Sequence, residues 1–120
     1  MKGKATLINF WAIWCPHCKQ NIPKINNMIR THGPRGLNVV GVSRERPRFE
    51  AEEIREYIRA HPMLFPTGID DGARTSAAYA VTSIPRVVLV DAQGKIRWHG
   101  HPDYLSDKVI EMVLETGAGS

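Results

Sequence analysis

Cysteine is scarce: two residues in 120, too few for the multi-bridge framework that holds a small secreted scaffold together. Long apolar runs are missing as well. The strongest, Leu7 to Trp14, is interrupted by Asn9 and falls far short of the ~20 residues that span a bilayer. No tract rich in one residue type, no internal repeat and no composition shift divides the chain, so one domain over residues 1–120 is expected. Large single-sign charge is also lacking. The formal charge is +4, and the densest basic stretch, Arg44, Arg46 and Arg48, has Glu45 inside it and Glu50 after it, with no aromatic ladder to stack bases. Nucleic acid is therefore not an expected partner. At 42% hydrophobic and 23% charged residues the composition is that of a folded chain rather than a disordered one.

Secondary structure alternates along what remains. Thr6 to Trp11 suits a buried strand, and from Pro16 the period becomes helical, with Ile22, Ile25, Met28 and Ile29 on one face before Gly33-Pro34. Leu37 to Val42 is a second strand. Phe49, Ile54, Tyr57 and Ile58 mark an amphipathic helix whose other face offers Glu52, Arg55, Glu56 and Arg59 as opposite-charge neighbours. Leu64 to Ile69 reads as a third strand, at an edge or a bulge because of Pro66. A short helix follows over Thr75 to Tyr79, and Val87 to Val90 is the clearest buried strand. Asp91 to Gly94 is a turn, Ile96 to His99 returns as a hairpin, and Leu105, Val109, Met112 and Val113 give a closing helix. The order β, α, β, α, β, α, β, β, α predicts an α/β fold with a mixed central sheet and helices on both faces.

The chemistry lies in Trp14-Cys15-Pro16-His17-Cys18-Lys19. Two cysteines three apart are either a redox pair or half a zinc site, and haem attachment is excluded because Lys19 stands where a histidine is required. The pair begins where a strand stops and a helix starts. At a helix N-terminus the unpaired N–H groups and the dipole favour a thiolate on Cys15, and Pro16 suits the first helical position. Cys18 returns to the same face, within reach of a mixed disulfide on Cys15, and a cationic His17 would further stabilise the thiolate. A zinc or copper module is the alternative, with His99 or His101 completing the ligand set.

The run Asn9 to Cys18 resembles the active-site segment of the thioredoxin superfamily, and more closely the TlpA/ResA-like thiol-disulfide oxidoreductases. Lys19 and Pro23 stand at familiar positions, Tyr79 to Pro85 resembles the segment ending in that family's cis-proline, and Ser43 to about Ile69 resembles its central insertion. The resemblance implies a thioredoxin-like fold in which Cys15 is the exposed nucleophile and Cys18 the shielded resolving thiol. Trp14, Pro16, His17 and Lys19 would support them, with Ile84 and a cis Pro85 binding substrate and no cofactor beyond the Cys15–Cys18 disulfide.

It also implies a reductase acting on client proteins bearing thiols or disulfides, such as apocytochrome, recycled by a redox partner. A monomer is expected, working in the periplasm or elsewhere outside the cytoplasm. The N-terminus shows no secretory signal, so the chain is read as a domain excised from a longer, anchored or multidomain protein. Asn9 and Asn21 stand where relatives carry carboxylates. The dipeptide Pro16-His17 resembles that of the oxidase DsbA, which sets motif against scaffold on the direction of electron flow.

Overall fold

A computed structural model describes residues 5–44, 51–70, 77–79, 81 and 83–118. The elements are β1 (Ala5–Trp11), α1 (Pro16–His32), β2 (Leu37–Arg44), α2 (Ala51–Ala60), β3 (Thr67–Asp70), β4 (Arg86–Asp91), β5 (Ile96–Gly100) and α3 (Asp107–Ala118). The five strands form one sheet in the order β3-β2-β1-β4-β5. β1, β2 and β3 run parallel, while β4 lies antiparallel to β1 and β5 antiparallel to β4. This is the mixed α/β sheet expected from the order of elements.

β1 is the middle strand, so both of its faces are covered and it reads as a continuous apolar run rather than an alternating one. Its odd residues Ala5, Leu7 and Trp11 enter a large apolar cluster with Ile22 and Ile25 of α1, Ile110 and Val113 of α3, and the flanking Tyr57 and Ile58 of α2. Ile8 and Phe10 face the other way, with Val88, Val90, Val81 and Tyr79. Residues 77–78 are helical and Tyr79 lies in a turn; the first two residues of the short helix expected over Thr75 to Tyr79 lie outside the described residues, as does Phe49.

α1 buries Ile22, Ile25 and Met28 and half-buries Ile29, the stripe that its period predicts. Polar residues are buried with them. Asn26 accepts from Leu64 N–H at 2.9 Å and donates to the Pro62 carbonyl at 3.4 Å, which ties the segment after α2 to α1. His32, 1% exposed, bonds through Nε2 to the Asp107 carboxylate at 2.8 Å and so links the end of α1 to the start of α3. On the outer face of α2, Arg59 meets Glu56 at 2.9 Å and Glu52 at 4.0 Å, while Arg55 lies 4.0 Å from Glu52; these exposed pairs solvate the helix rather than stabilise it much.

Several strands run one or two residues longer than the sequence reading, and the starts of β3 and α3 fall later than expected. β3 begins at Thr67, not Leu64, because Pro66 has no N–H for a ladder; it contributes only its carbonyl, which accepts from Gly41 N–H at 2.7 Å. Phe65, 4% exposed, packs over Gly41, where any side chain would collide with the phenyl ring and Thr67 Oγ1. The closing helix begins at Asp107, with the Ser106 hydroxyl accepting from Val109 N–H at 3.2 Å. Leu105 is buried but precedes that helix. The helical period then turns Ile110, Val113 and Leu114 inward and leaves Met112, expected in the core, 51% exposed.

The β4–β5 hairpin carries one strongly held carboxylate. Asp91 Oδ1 accepts from Lys95 N–H at 3.0 Å and Gln93 N–H at 2.9 Å, and Oδ2 lies 3.4 Å from Arg97. The Lys95 bond above all, with the Gln93 and Arg97 bonds, holds this carboxyl below its ordinary pKa despite the opposing effect of burial. A depressed folded pKa makes the charged form a source of stability that is present above the unfolded value of about 3.9 and lost as pH falls through the folded one. Asp91→Asn should therefore lower the melting temperature above about pH 4, and the gap to wild type should close on further acidification. Thermal melts between about pH 2 and 7 measure it, and a gap independent of pH would contradict the assignment.

Candidate active site

β1 ends at Trp11, which is fully buried, and the chain turns through residues 12–14, closed by Cys15 N–H donating to the Ala12 carbonyl at 3.2 Å. Cys15 is the N-cap of α1: its backbone is extended, at φ −109° and ψ 105°, and its Sγ accepts from Cys18 N–H at 3.2 Å. Pro16 takes the first helical position, where its missing N–H costs nothing. One turn on, Cys18 faces back to Cys15, and the two are joined as a disulfide with Cα atoms 5.2 Å apart. The spacing in the sequence thus becomes a covalent contact at the positive end of a 17-residue helix.

Cys15 is less open than the resemblance implied. It is 7% exposed and Cys18 1%, because an N-cap side chain folds back over the first turn and the disulfide draws it inward. Pro16 and His17, by contrast, are exposed. The His17 carbonyl accepts from Asn21 Nδ2 at 2.9 Å, and Asn21 and Asn9 are buried amides at 8% and 2% exposure. Neither can take up or release a proton, as the sequence indicated.

Trp14 is half-buried against the main apolar cluster, and Trp11 lies beneath Tyr57 at a ring separation of 5.9 Å. Tyr57 stacks on His61 at 3.8 Å, while Lys19 Nζ stands 5.3 Å from the centre of the Tyr57 ring. Burial pushes the Tyr57 hydroxyl above its ordinary pKa, keeping it neutral. The helical period assigned Tyr57 to a core face and carried no signal that it would meet Lys19, far earlier in the chain.

The residues expected to bind substrate, Ile84 and Pro85, stand just before β4. Arg86 pairs with Phe10 in the β1–β4 register, so Ile84 and Pro85 arrive beside the end of β1 where the cysteine turn begins. Their peptide bond is cis, and half-buried Ile84 touches both apolar clusters, one of which holds the two cysteines. The histidines considered as metal ligands are otherwise engaged. His99 Nδ1 accepts from Arg86, and His101 Nδ1 accepts from Asp103 N–H at 3.1 Å. Among the described residues no group of three or more His, Cys, Asp or Glu is placed to hold a metal ion, so the metal reading finds no support.

Residues 1–99 match the profile of the family described as AhpC/TSA. The chain belongs to the AhpC/TSA family. This member is similar to the thiol-disulfide oxidoreductase ResA of Bacillus cereus, 25% identical over 96 residues that make up 80% of this chain and 54% of that protein. It is also similar to the sporulation thiol-disulfide oxidoreductase A of Bacillus subtilis, 26% identical over 79% of this chain and 58% of the relative. The chain thus spans little more than half the length of the curated relatives it matches. The crystal structure of StoA from Bacillus subtilis superposes with a TM-score of 0.73 at 25% identity, covering 83% of this chain and 75% of that one. The fold is thioredoxin-like.

Proposed function

We propose that this AhpC/TSA-family chain is a thiol-disulfide oxidoreductase that exchanges disulfides with partner proteins. The observation that carries the reading is the disulfide between a helix N-cap cysteine and the cysteine one turn on. In the reducing direction the Cys15 thiolate attacks one sulfur of a client disulfide; a Cys15–client S–S bond forms and the other client sulfur leaves as a thiolate. Cys18, deprotonated, then attacks Cys15 Sγ, closing the Cys15–Cys18 disulfide and releasing the second client thiolate. The client has gained two electrons, the protein has lost them, and the two client thiolates take protons from water. A dithiol partner resets the pair by the reverse exchange.

The site's parts fit these steps. The unpaired N–H groups of the first turn, Cys18 N–H included, stabilise charge on Cys15 Sγ, and His17 lies exposed at the same turn. Cys18, 1% exposed, is shielded from foreign disulfides but adjacent to the one sulfur it must attack. Ile84 and Pro85 form an edge beside the pair on which an extended client segment would lie, with the Ile84 backbone as its hydrogen-bonding partner. Trp14 precedes Cys15, and Pro16 and Lys19 follow it in the first turn of α1, where they would support the pair. Stable client disulfides persist in oxidising compartments, which supports a place outside the cytoplasm, and cytochrome c maturation is one pathway with clients of the required kind. No described helix is long and apolar enough to cross a membrane.

The reading is tested with reduced protein and a disulfide-linked protein substrate such as insulin, under a catalytic excess of dithiol. Turnover above the dithiol-only rate is expected. Stoichiometric zinc or copper binding that needs both cysteines, without turnover, would replace this reading with the metal-handling one.

A further inference from the structure

Tyr57 of α2 meets both flanks of the cysteine turn. Trp11, the last residue of β1, lies 5.9 Å from it ring to ring, and Lys19, the residue after Cys18, sets its Nζ 5.3 Å from the centre of the same ring. These contacts lie on the cysteine face of the sheet, because Tyr57 packs against the apolar cluster that contains Trp11, Cys15 and Cys18. Lys19 is tied to the pair by its backbone as well, its N–H donating to the Cys15 carbonyl at 3.2 Å. The ring itself is held. His61 Nδ1–H donates to the Tyr57 carbonyl at 2.9 Å, which keeps the imidazole stacked on the phenol ring at 3.8 Å and an interplanar angle of 18°. A cation over an aromatic face is attracted by the ring quadrupole, so Tyr57 restricts an exposed lysine that would otherwise move freely in solvent. Adjacent Cα atoms are about 3.8 Å apart and a lysine side chain reaches about 6 Å, so this charge stays within roughly 10 Å of the Cys18 Cα, about one Debye length at ~0.1 M salt. Along α2, Glu53 and His61 stand one turn before and one turn after Tyr57, and on α1 His17 is exposed; these are the other titratable groups on the elements that carry the contact.

We propose that Tyr57, its ring plane set by His61, is a positioning residue that holds the Lys19 ammonium beside the cysteine pair, where the charge stabilises a thiolate and so favours the reduced protein. The inference rests on the oxidoreductase reading and deepens it, giving α2 a part in setting the redox balance of a pair carried by α1. Tyr57 acts through Lys19 rather than on the sulfurs.

The test is the glutathione equilibrium of the whole chain, in which two glutathione thiols reduce the Cys15–Cys18 disulfide to the dithiol and leave as oxidised glutathione, two electrons passing with two protons. Lys19→Gln should move the equilibrium constant about two- to five-fold toward the protein disulfide, the range for one charge lost at such a distance, and salt should shrink the difference. Tyr57→Leu should move it the same way by about two-fold, whereas Tyr57→Phe keeps the ring and should match wild type. Added to Lys19→Gln, Tyr57→Leu should change nothing further, because the charge it positions is already gone. A Tyr57→Leu shift that is absent, or one that persists without Lys19, overturns the proposal. Lys19 is exposed, so Lys19→Gln folds even where Tyr57→Leu does not, and an unshifted constant in Lys19→Gln overturns the proposal as well. Each of these results leaves the oxidoreductase reading in place. A pair that neither glutathione nor dithiothreitol reduces overturns both.

Discussion

Cys15→Ser is expected to abolish disulfide exchange, a loss of roughly a thousand-fold or more, because a serine hydroxyl is not ionised near neutral pH and cannot open an S–S bond. Cys18→Ser should behave differently. Its Cys15 still attacks, but no thiol closes the second step, so a client–Cys15 mixed disulfide accumulates and turnover stops after one event. The asymmetry follows from position: Cys15 caps the helix and is 7% exposed, while Cys18 lies inside the first turn at 1%. Steady-state reduction rates give the first result, and mass spectrometry of the trapped species under non-reducing conditions gives the second. Alkylation of the reduced protein should likewise modify Cys15 much faster than Cys18. Trapping on Cys18 in the Cys15→Ser variant, with none on Cys15 in the Cys18→Ser variant, would reverse the roles. A trapped partner would also reveal the direction of electron flow.

The reduction potential should lie near −200 mV, about 70 mV above the roughly −270 mV of thioredoxin and well below the roughly −120 mV of DsbA. With ~30 mV equal to ~1.4 kcal/mol for two electrons, that gap is on the order of 200-fold in the equilibrium with a thioredoxin-like dithiol. The cause is selective stabilisation of the reduced form. The Cys15 thiolate receives the Cys18 N–H and the positive helix end, and His17 adds a group that can be cationic at the same turn. His17→Pro should lower the potential by a few tens of millivolts and raise the pH at which the thiolate appears. Equilibration in glutathione buffers reads the potential, and thiolate absorbance against pH reads the ionisation. A variant unchanged in both would make His17 a solvent-facing helix residue and return the protein to a thioredoxin-like poise.

The cysteine motif and the elements around it were legible because they are local. A CxxC pair where an apolar strand run gives way to a helical period of 3.6 puts both sulfurs at the start of the helix, and α1 buries the stripe its spacing predicts. Legibility failed where a boundary depended on a single backbone group, as when Pro66 delayed β3 to Thr67, and where docking chose a helix face: α3 packs on β4 and β1 with Leu114 inward and Met112 in solvent.

By itself the sequence determined the order of strands and helices, the redox-competent pair, and the absence of carboxylates at Asn9 and Asn21. Tertiary structure decided what surrounds that pair. The β1–β4 register brings Ile84, Pro85 and Arg86 to the end of β1, and the packing of α2 sets Tyr57 between Trp11, His61 and Lys19. It also engages His99 with Arg86 and links buried His32 to Asp107 across 75 residues of chain. The division has a physical cause. Helix and strand periods are written by neighbours up to four residues apart, whereas strand register and helix docking depend on contacts between segments whose separation leaves no periodic trace in the chain.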